Sequence, residues 1–220
     1  MILCISDVLD ATGLAELRET VAAGVFVDGV LSSGWASRLV KHNEQLGAGP
    51  ALEAAQQKVI AALKNNPVFS AAVMPRHFAP PLFARYEPGM EFGTHMDNPL
   101  MGPDFMRADV SVTIFLADPD SYDGGELVME TTGGETAYKL PAGSAVTYPT
   151  TVMHRVEPVT RGVREVAVTW AQSLFRRADE REILFDLERT ARALFEREGK
   201  SELYDLINKS TSNLRRMWVD

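Results

Sequence analysis

Two hydrophobic periods divide the chain. Up to about residue 79 and again after Ser173, apolar positions recur every three to four residues, the spacing of a helix with one buried face; between them they fall into short runs of β-branched and aromatic residues. Residues 2–9 alternate weakly and predict a short strand. Leu14, Leu17 and Val21 share one face of a helix that Asp10 or Thr12 can cap and that Gly24 ends just past Ala23. Val25 to Gly34 reads as a turn or edge strand. Ala55, Val59, Ala62 and Leu63 predict a second helix from about Leu52 to Lys64, ended by Asn65-Asn66-Pro67. Helices with one apolar face each need a sheet to cover.

From Pro80 the pattern predicts strands near residues 82–87, 91–96, 109–116, 126–130, 136–140, 144–149, 153–157 and 163–172, separated by Pro, Gly and Asp clusters. Glu87-Pro88-Gly89, Tyr122-Asp123-Gly124-Gly125 and Thr160-Arg161-Gly162 carry the residues that tight reversals require. Eight short strands suit a double-sheet jelly roll. After Ser173 helical spacing returns: Asp179 and Glu182 form a cap pair, Ile183, Leu187, Ala191 and Leu194 form a stripe, Ser201 opens a second helix, and Ser212-Asn213 opens a third that ends at Met217-Trp218. The fold class is mainly β with flanking helices. We divide it into an N-terminal α/β segment, 1–79, packing on the core; a β core, 80–175; and a C-terminal helical extension, 176–220, lying on that core or on a second subunit.

Composition narrows the function without naming it. With 45% hydrophobic and 24% charged residues the chain is an ordinary globular one, and at 220 residues it is long enough for one well-packed domain with appendages. A net charge of −8 disfavours a broad nucleic-acid-binding face. Cys4 is the single cysteine, so neither an internal disulfide nor a thiolate-rich metal site can form within the chain. No apolar run reaches membrane-spanning length and no basic leader precedes residue 7, which leads us to expect a soluble cytoplasmic protein.

Candidate chemistry centres on His95-Met96-Asp97. Alternate strand residues face the same way, so His95 and Asp97 converge, and His154 from a neighbouring strand would complete a two-His, one-carboxylate facial set for a first-row divalent metal. A His-x-Asp pair alone arises by chance in roughly one chain in four of this usage, and the competing reading is a turn histidine bonded to a nearby acid. Arg164 adds weight. It shares a strand face with Val166, Val168 and Trp170, where an unpaired guanidinium costs several kcal/mol, on the order of other desolvated ions. Its anion is either a dicarboxylate ligand, which fits a bidentate fork, or an acid on an adjacent strand such as Glu126. Tyr86, nine residues before His95, places a phenol near the same pocket or serves as a core tyrosine. His42 and His77 have no such company, and Arg176-Arg177 and Arg215-Arg216 read as helix-face charges.

Taken together, Tyr86-Glu87-Pro88-Gly89, His95-Met96-Asp97, Tyr122-Asp123-Gly124-Gly125-Glu126-Leu127, Tyr148-Pro149, His154-Arg155-Val156 and Pro158-Val159-Thr160-Arg161-Gly162-Val163-Arg164 resemble the Fe(II)/2-oxoglutarate-dependent dioxygenases related to prolyl 4-hydroxylase, and within them the bacterial PKHD-type hydroxylases. The tail Asn213-Leu214-Arg215-Arg216-Met217-Trp218 extends the resemblance over most of the chain. It implies a double-stranded β-helix core, iron held by His95, Asp97 and His154, and 2-oxoglutarate held through its distal carboxylate by Arg164. Tyr86 would lie near the co-substrate and Trp170 would wall the pocket. Phe115 stands where animal prolyl hydroxylases have a co-substrate-binding tyrosine, so Tyr86, Ser111 or Thr113 is left to partner Arg164.

The activity so implied is hydroxylation of an unactivated C–H bond in a peptidyl prolyl-type or small-molecule substrate, with Fe(II), 2-oxoglutarate and O2 consumed or required, succinate and carbon dioxide released, and ascorbate as a rescuing reductant. Two rivals belong to other classes: a non-catalytic iron or 2-oxoglutarate sensor, and an interaction module on a β-barrel scaffold whose helical tail is the working surface. The Leu- and Phe-rich tail suggests a homodimer. Asn98 to Arg107, directly after the ligand pair, reads equally as a substrate lid or a connecting loop.

Overall fold

A computed structural model describes residues 1–32, 34 and 37–220. Two antiparallel sheets face each other. The larger runs in the order Leu3–Ile5, Ala145–Pro149, Val110–Phe115, Arg164–Ser173, Leu82–Tyr86, Glu44–Leu46 and Phe26–Asp28, and Pro75–Phe78 pairs with the far end of Arg164–Ser173. The smaller runs Gly134–Tyr138, Leu127–Thr131, His154–Val156, Glu91–His95 and Lys41–His42. This is the jelly roll that the strand spacing predicts, and the eight expected strands lie within a residue or two of their places.

Strand Val110–Phe115 shows why the layers stack as they do. It is buried on both faces. Val110, Val112 and Ile114 point outward into a core shared with Leu14, Leu17 and Val21 of helix Ala11–Ala22 and with Ala55, Val59 and Leu63 of helix Pro50–Asn65. Each such side chain contributes roughly 1.5–3 kcal/mol when fully buried, which fixes the helices on this sheet. The alternate residues Ser111, Thr113 and Phe115 face the space between the sheets, where Phe115 joins Ala84, Leu127, Met129, Val146, Val156 and Val166.

One helix and three short strands before Pro80 go beyond expectation. Asn65-Asn66-Pro67 ends one helix and also starts another, Pro67–Val73: the Asn66 side chain accepts from the Phe69 amide, and Pro67 takes a first-turn position where no amide is needed. Short strands at Lys41–His42, Glu44–Leu46 and Pro75–Phe78 were outside the sequence pattern, because two to four residues are too few to display a period.

The C-terminal tail is a helical hairpin, Ala178–Glu198 and Glu202–Trp218, reversed at Gly199 with φ 65°. Its buried face is Leu184, Phe185 and Ala191 with Arg181; of the expected stripe Ala191 is buried and Leu187 and Leu194 are half-buried, while Ile183 lies exposed and Leu184 takes its place. The first turn shows why. Arg181 donates to the carbonyls of Phe175 and Arg176, which anchors the first turn, and Leu184 packs with Met74 and Phe175. Asp179 pairs with Arg177 instead of capping. Ser201 caps the second helix through the Tyr204 amide, and that helix continues unbroken through Ser212-Asn213. No helix among the described residues is long and apolar enough to cross a membrane. Asn98 to Arg107 forms a small hairpin, Leu100–Met101 against Met106–Arg107.

Candidate active site

His95 ends strand Glu91–His95 and His154 begins the neighbouring strand, and the register sets the two directly opposite. Their rings lie 4.3 Å apart. Asp97 follows two residues beyond His95 on the same side, with Oδ2 3.9 Å from His154 Nε2, and one ligand atom from each of the three lies within 4.8 Å of the others. Each imidazole donates Nδ1–H to the carbonyl two residues before it, His95 to Gly93 at 2.8 Å and His154 to Val152 at 2.9 Å. A carbonyl only accepts, so Nδ1 carries the proton and Nε2 keeps its lone pair toward the cluster. Ser111 Oγ donates to Asp97 Oδ2 at 2.5 Å and turns the carboxylate toward the histidines.

The surroundings favour the ligating protonation states. Burial, together with the adjacent His154, pushes the His95 imidazole down to about 4, so it is neutral near pH 7. Phe92 stacks on it at 3.6 Å, and Tyr148 meets the His154 ring edge-on at 5.1 Å. Burial and the Asp97 carboxylate hold the Tyr148 phenol well above its ordinary value. Two imidazoles and one carboxylate on one side of a site suit a divalent first-row metal.

Arg164 faces the same pocket. It is 1% exposed, and neither Nε nor Nη1 has a hydrogen-bond partner among the described residues. Its guanidinium sits 4.9 Å from the Tyr86 ring centroid, directly across the strand pair, and 5.9 Å from that of Phe115. Gly125, at φ 67°, makes this position possible: a Cβ there would stand 2.9 Å from Arg164 Cδ. Glu126 is not its partner and lies 3.8 Å from Lys139 Nζ instead. An unpaired buried guanidinium is costly, and the fold tolerates it where an anion can enter.

The structure therefore brings His95, Asp97, His154, Arg164, Tyr86, Thr113 and Trp170 to one pocket. Ser111 stands behind it, engaged with Asp97 and not with Arg164. His42 and His77 are outside the cluster. Several lining residues were not anticipated. Tyr148 is one, and Lys41, Asn43 and Gln45 are three more, projecting inward at alternate positions while His42 and Glu44 do not. Buried Asn43 has no partner at either amide atom, and its side chain and Arg164 both approach the Tyr86 hydroxyl, whose ionisation burial disfavours. The sequence carries no signal for these three, because residues 41–45 are all polar and only the structure shows that alternate ones are buried. An outer pocket adjoins this one and shares Lys41, Leu82, Phe92, His95, Asp97 and Trp170, with Met101 and Gly102 of the 98–107 hairpin on its rim.

Comparison with known proteins agrees with this geometry. The profile of the 2OG-Fe(II) oxygenase superfamily matches residues 81–172. A PKHD-type hydroxylase of Gloeothece citriformis (strain PCC 7424) is 50% identical over 220 residues, covering 100% of both chains. Among solved structures, a prolyl-4-hydroxylase from Pseudomonas putida covers 78% of this chain and 92% of its own, with a TM-score of 0.54 at 22% identity. A viral collagen prolyl hydroxylase from Paramecium Bursaria Chlorella virus-1, solved with 2OG, covers 78% and 96% with a TM-score of 0.52 at 17% identity. At these identities the two structures speak for the fold alone.

Proposed function

Because the chain belongs to the PKHD-type hydroxylases of the 2OG-Fe(II) oxygenase superfamily, and so is a hydroxylating enzyme that uses Fe(II), 2-oxoglutarate and O2, we propose that His95, Asp97 and His154 bind the iron and that Arg164 binds the co-substrate's distal carboxylate. One observation carries this reading: a triad of two imidazoles and a carboxylate shares a pocket with a buried guanidinium that has no anion of its own among the described residues. The donor set fits Fe(II), and the Arg164 fork fits a carboxylate.

The chain's own contribution is positioning. Gly93 and Val152 carbonyls hold both imidazoles with Nε2 inward, and Ser111 holds Asp97. Arg164, with Tyr86 and the Asn43 amide beside it, grips the far end of 2-oxoglutarate and so sets how the near end meets the metal. Phe92, Leu127, Val156 and Val168 wall the pocket and keep water from it, and Trp170 closes the side toward the outer pocket. Once bound, iron and 2-oxoglutarate supply the oxidising power from dioxygen, with succinate and carbon dioxide released and a hydroxyl placed on the prime substrate. That substrate, peptidyl prolyl-type or small-molecule, enters through the outer pocket. Ascorbate serves as a rescuing reductant. Residues 80–175 form the catalytic core, 1–79 the segment packed on it, and 176–220 a helical extension. The lone cysteine supports a cytoplasmic setting, and exposed Leu203, Leu206 and Met217 on the tail support a homodimer.

Anaerobic titration with Fe(II) and 2-oxoglutarate tests the assignment. The wild type should develop a visible metal-to-ligand charge-transfer band, and Arg164→Ala should require at least tenfold more 2-oxoglutarate to reach it. A folded, iron-loaded protein without the band would overturn the reading.

A further inference from the structure

We infer that Lys41 is the anchor for a carboxylate on the prime substrate, and hence that this enzyme hydroxylates a carboxylate-bearing molecule. The inference rests on the assignment of the inner pocket to iron and 2-oxoglutarate.

Lys41 is 8% exposed, on the short strand that pairs with Glu91–His95, and it lies opposite Phe92. Its ammonium stands 5.4 Å from the Phe92 ring centroid, and Phe92 stacks on His95, so the charge sits one ring away from the metal ligands. Its sole hydrogen bond among the described residues is to a neutral group, Ser32 Oγ at 3.0 Å; Ser32 in turn donates to Gln45 Oε1 at 2.6 Å. No carboxylate comes within 4.0 Å of Lys41 among the described residues, and the three remaining residues, Ser33, Trp35 and Ala36, carry none. Burial pulls the ammonium down to about 8 against the opposing field of Asp28, which is not in contact with it, and so leaves it charged at neutral pH.

Position decides what this charge is for. Lys41 lines the inner and the outer pocket, so it stands at the passage between them. In the inner pocket the co-substrate's carboxylate already has Arg164. In the outer pocket, once His95 and Asp97 are committed to metal, Lys41 is the one charged side chain on the wall among the described residues; the others are Ser32, Ser37, Asn98, Gly34, Gly102 and apolar residues including Met96, Met101, Leu82 and Trp170. A partly desolvated ammonium in an otherwise neutral wall selects an anion and rejects a neutral isostere, because leaving the charge unpaired is what costs. In a chain with a net charge of −8, an anionic substrate needs such a local cation.

Two matched probe pairs test this on the anaerobic Fe(II)·2-oxoglutarate protein. N-acetyl-L-leucine against its amide reads a small free acid, and an aspartate-containing tetrapeptide amide against its asparagine counterpart reads a side-chain carboxylate within a peptide. Binding is followed as a shift of the charge-transfer band. At least one acid should bind tenfold or more tightly than its neutral partner. Lys41→Met, which keeps the aliphatic stem, should remove that difference, and Lys41→Arg should restore most of it. Equal affinity of acid and neutral partner in the wild type, a preference that survives Lys41→Met, or bleaching of the band through displacement of 2-oxoglutarate would each overturn the inference. Absence of the band in wild type would instead sink the assignment of the inner pocket, so the two failures are distinct.

Discussion

Single residues here do their work through partners that are not themselves ligands. Ser111 never meets the pocket, yet its hydroxyl sets the Asp97 carboxylate. Loss of such an outer partner typically weakens metal binding on the order of 10-fold or more, so Ser111→Ala should lower iron affinity by about that factor while leaving thermal stability near wild type, read by competition with a metal indicator. Wild-type iron affinity in Ser111→Ala would mean that Asp97 is held by the backbone alone. The principal residues were legible beforehand for a plain reason: His95, Asp97 and His154 obey strand parity, and Arg164 is a charge on an apolar face. Ser111 and Lys41 were not legible in those roles. A serine on a strand looks like any other, and a lysine is read as solvated until its burial is seen.

At the scale of elements, length governed what the sequence disclosed. The strands from Leu82 to Ser173 are mostly five residues or more and declare their period; Lys41–His42 and Glu44–Leu46 are too short to do so, although they supply one wall of the pocket. The second lesson is that a Pro after Asn is ambiguous in principle. Asn66-Pro67 stops one helix by its proline and begins the next by its cap. Asn66→Ala should therefore cost about 1 kcal/mol of stability, seen in urea denaturation as a lower midpoint with unchanged slope, without altering iron or 2-oxoglutarate affinity. A loss of co-substrate affinity instead would show that helix Pro67–Val73 and the pocket are coupled. The tail teaches the converse. Its helices and most of their inward stripe were readable from periodicity, but in the first turn Leu184 is buried instead of Ile183, where Arg181 reaches the carbonyls of Phe175 and Arg176, a tertiary contact that periodicity does not encode.

For the molecule as a whole, burying His95 carries a cost in acid. The His95 pKa is about 4 in the folded state against 6.5 for an unperturbed imidazole, so between those values the unfolded chain binds more protons. Stability from this group is fully present above about pH 6.5 and is lost as pH falls toward 4. The apoprotein should become easier to unfold across that window, on the order of a few kcal/mol in total, and His95→Asn, whose amide can still donate to the Gly93 carbonyl, should flatten the dependence. An unchanged slope in that variant would assign the effect elsewhere. The same cross-strand register that sets His95 beside His154 also orders events in time. The two histidines come from strands distant in sequence, so until the smaller sheet closes the chain owns only the His95-Asp97 pair. The proposed iron site would then be complete only in the folded sheet, so Fe(II) should slow unfolding of the loaded protein and leave the refolding rate of the empty one unchanged, as stopped-flow unfolding and refolding with and without Fe(II) would show.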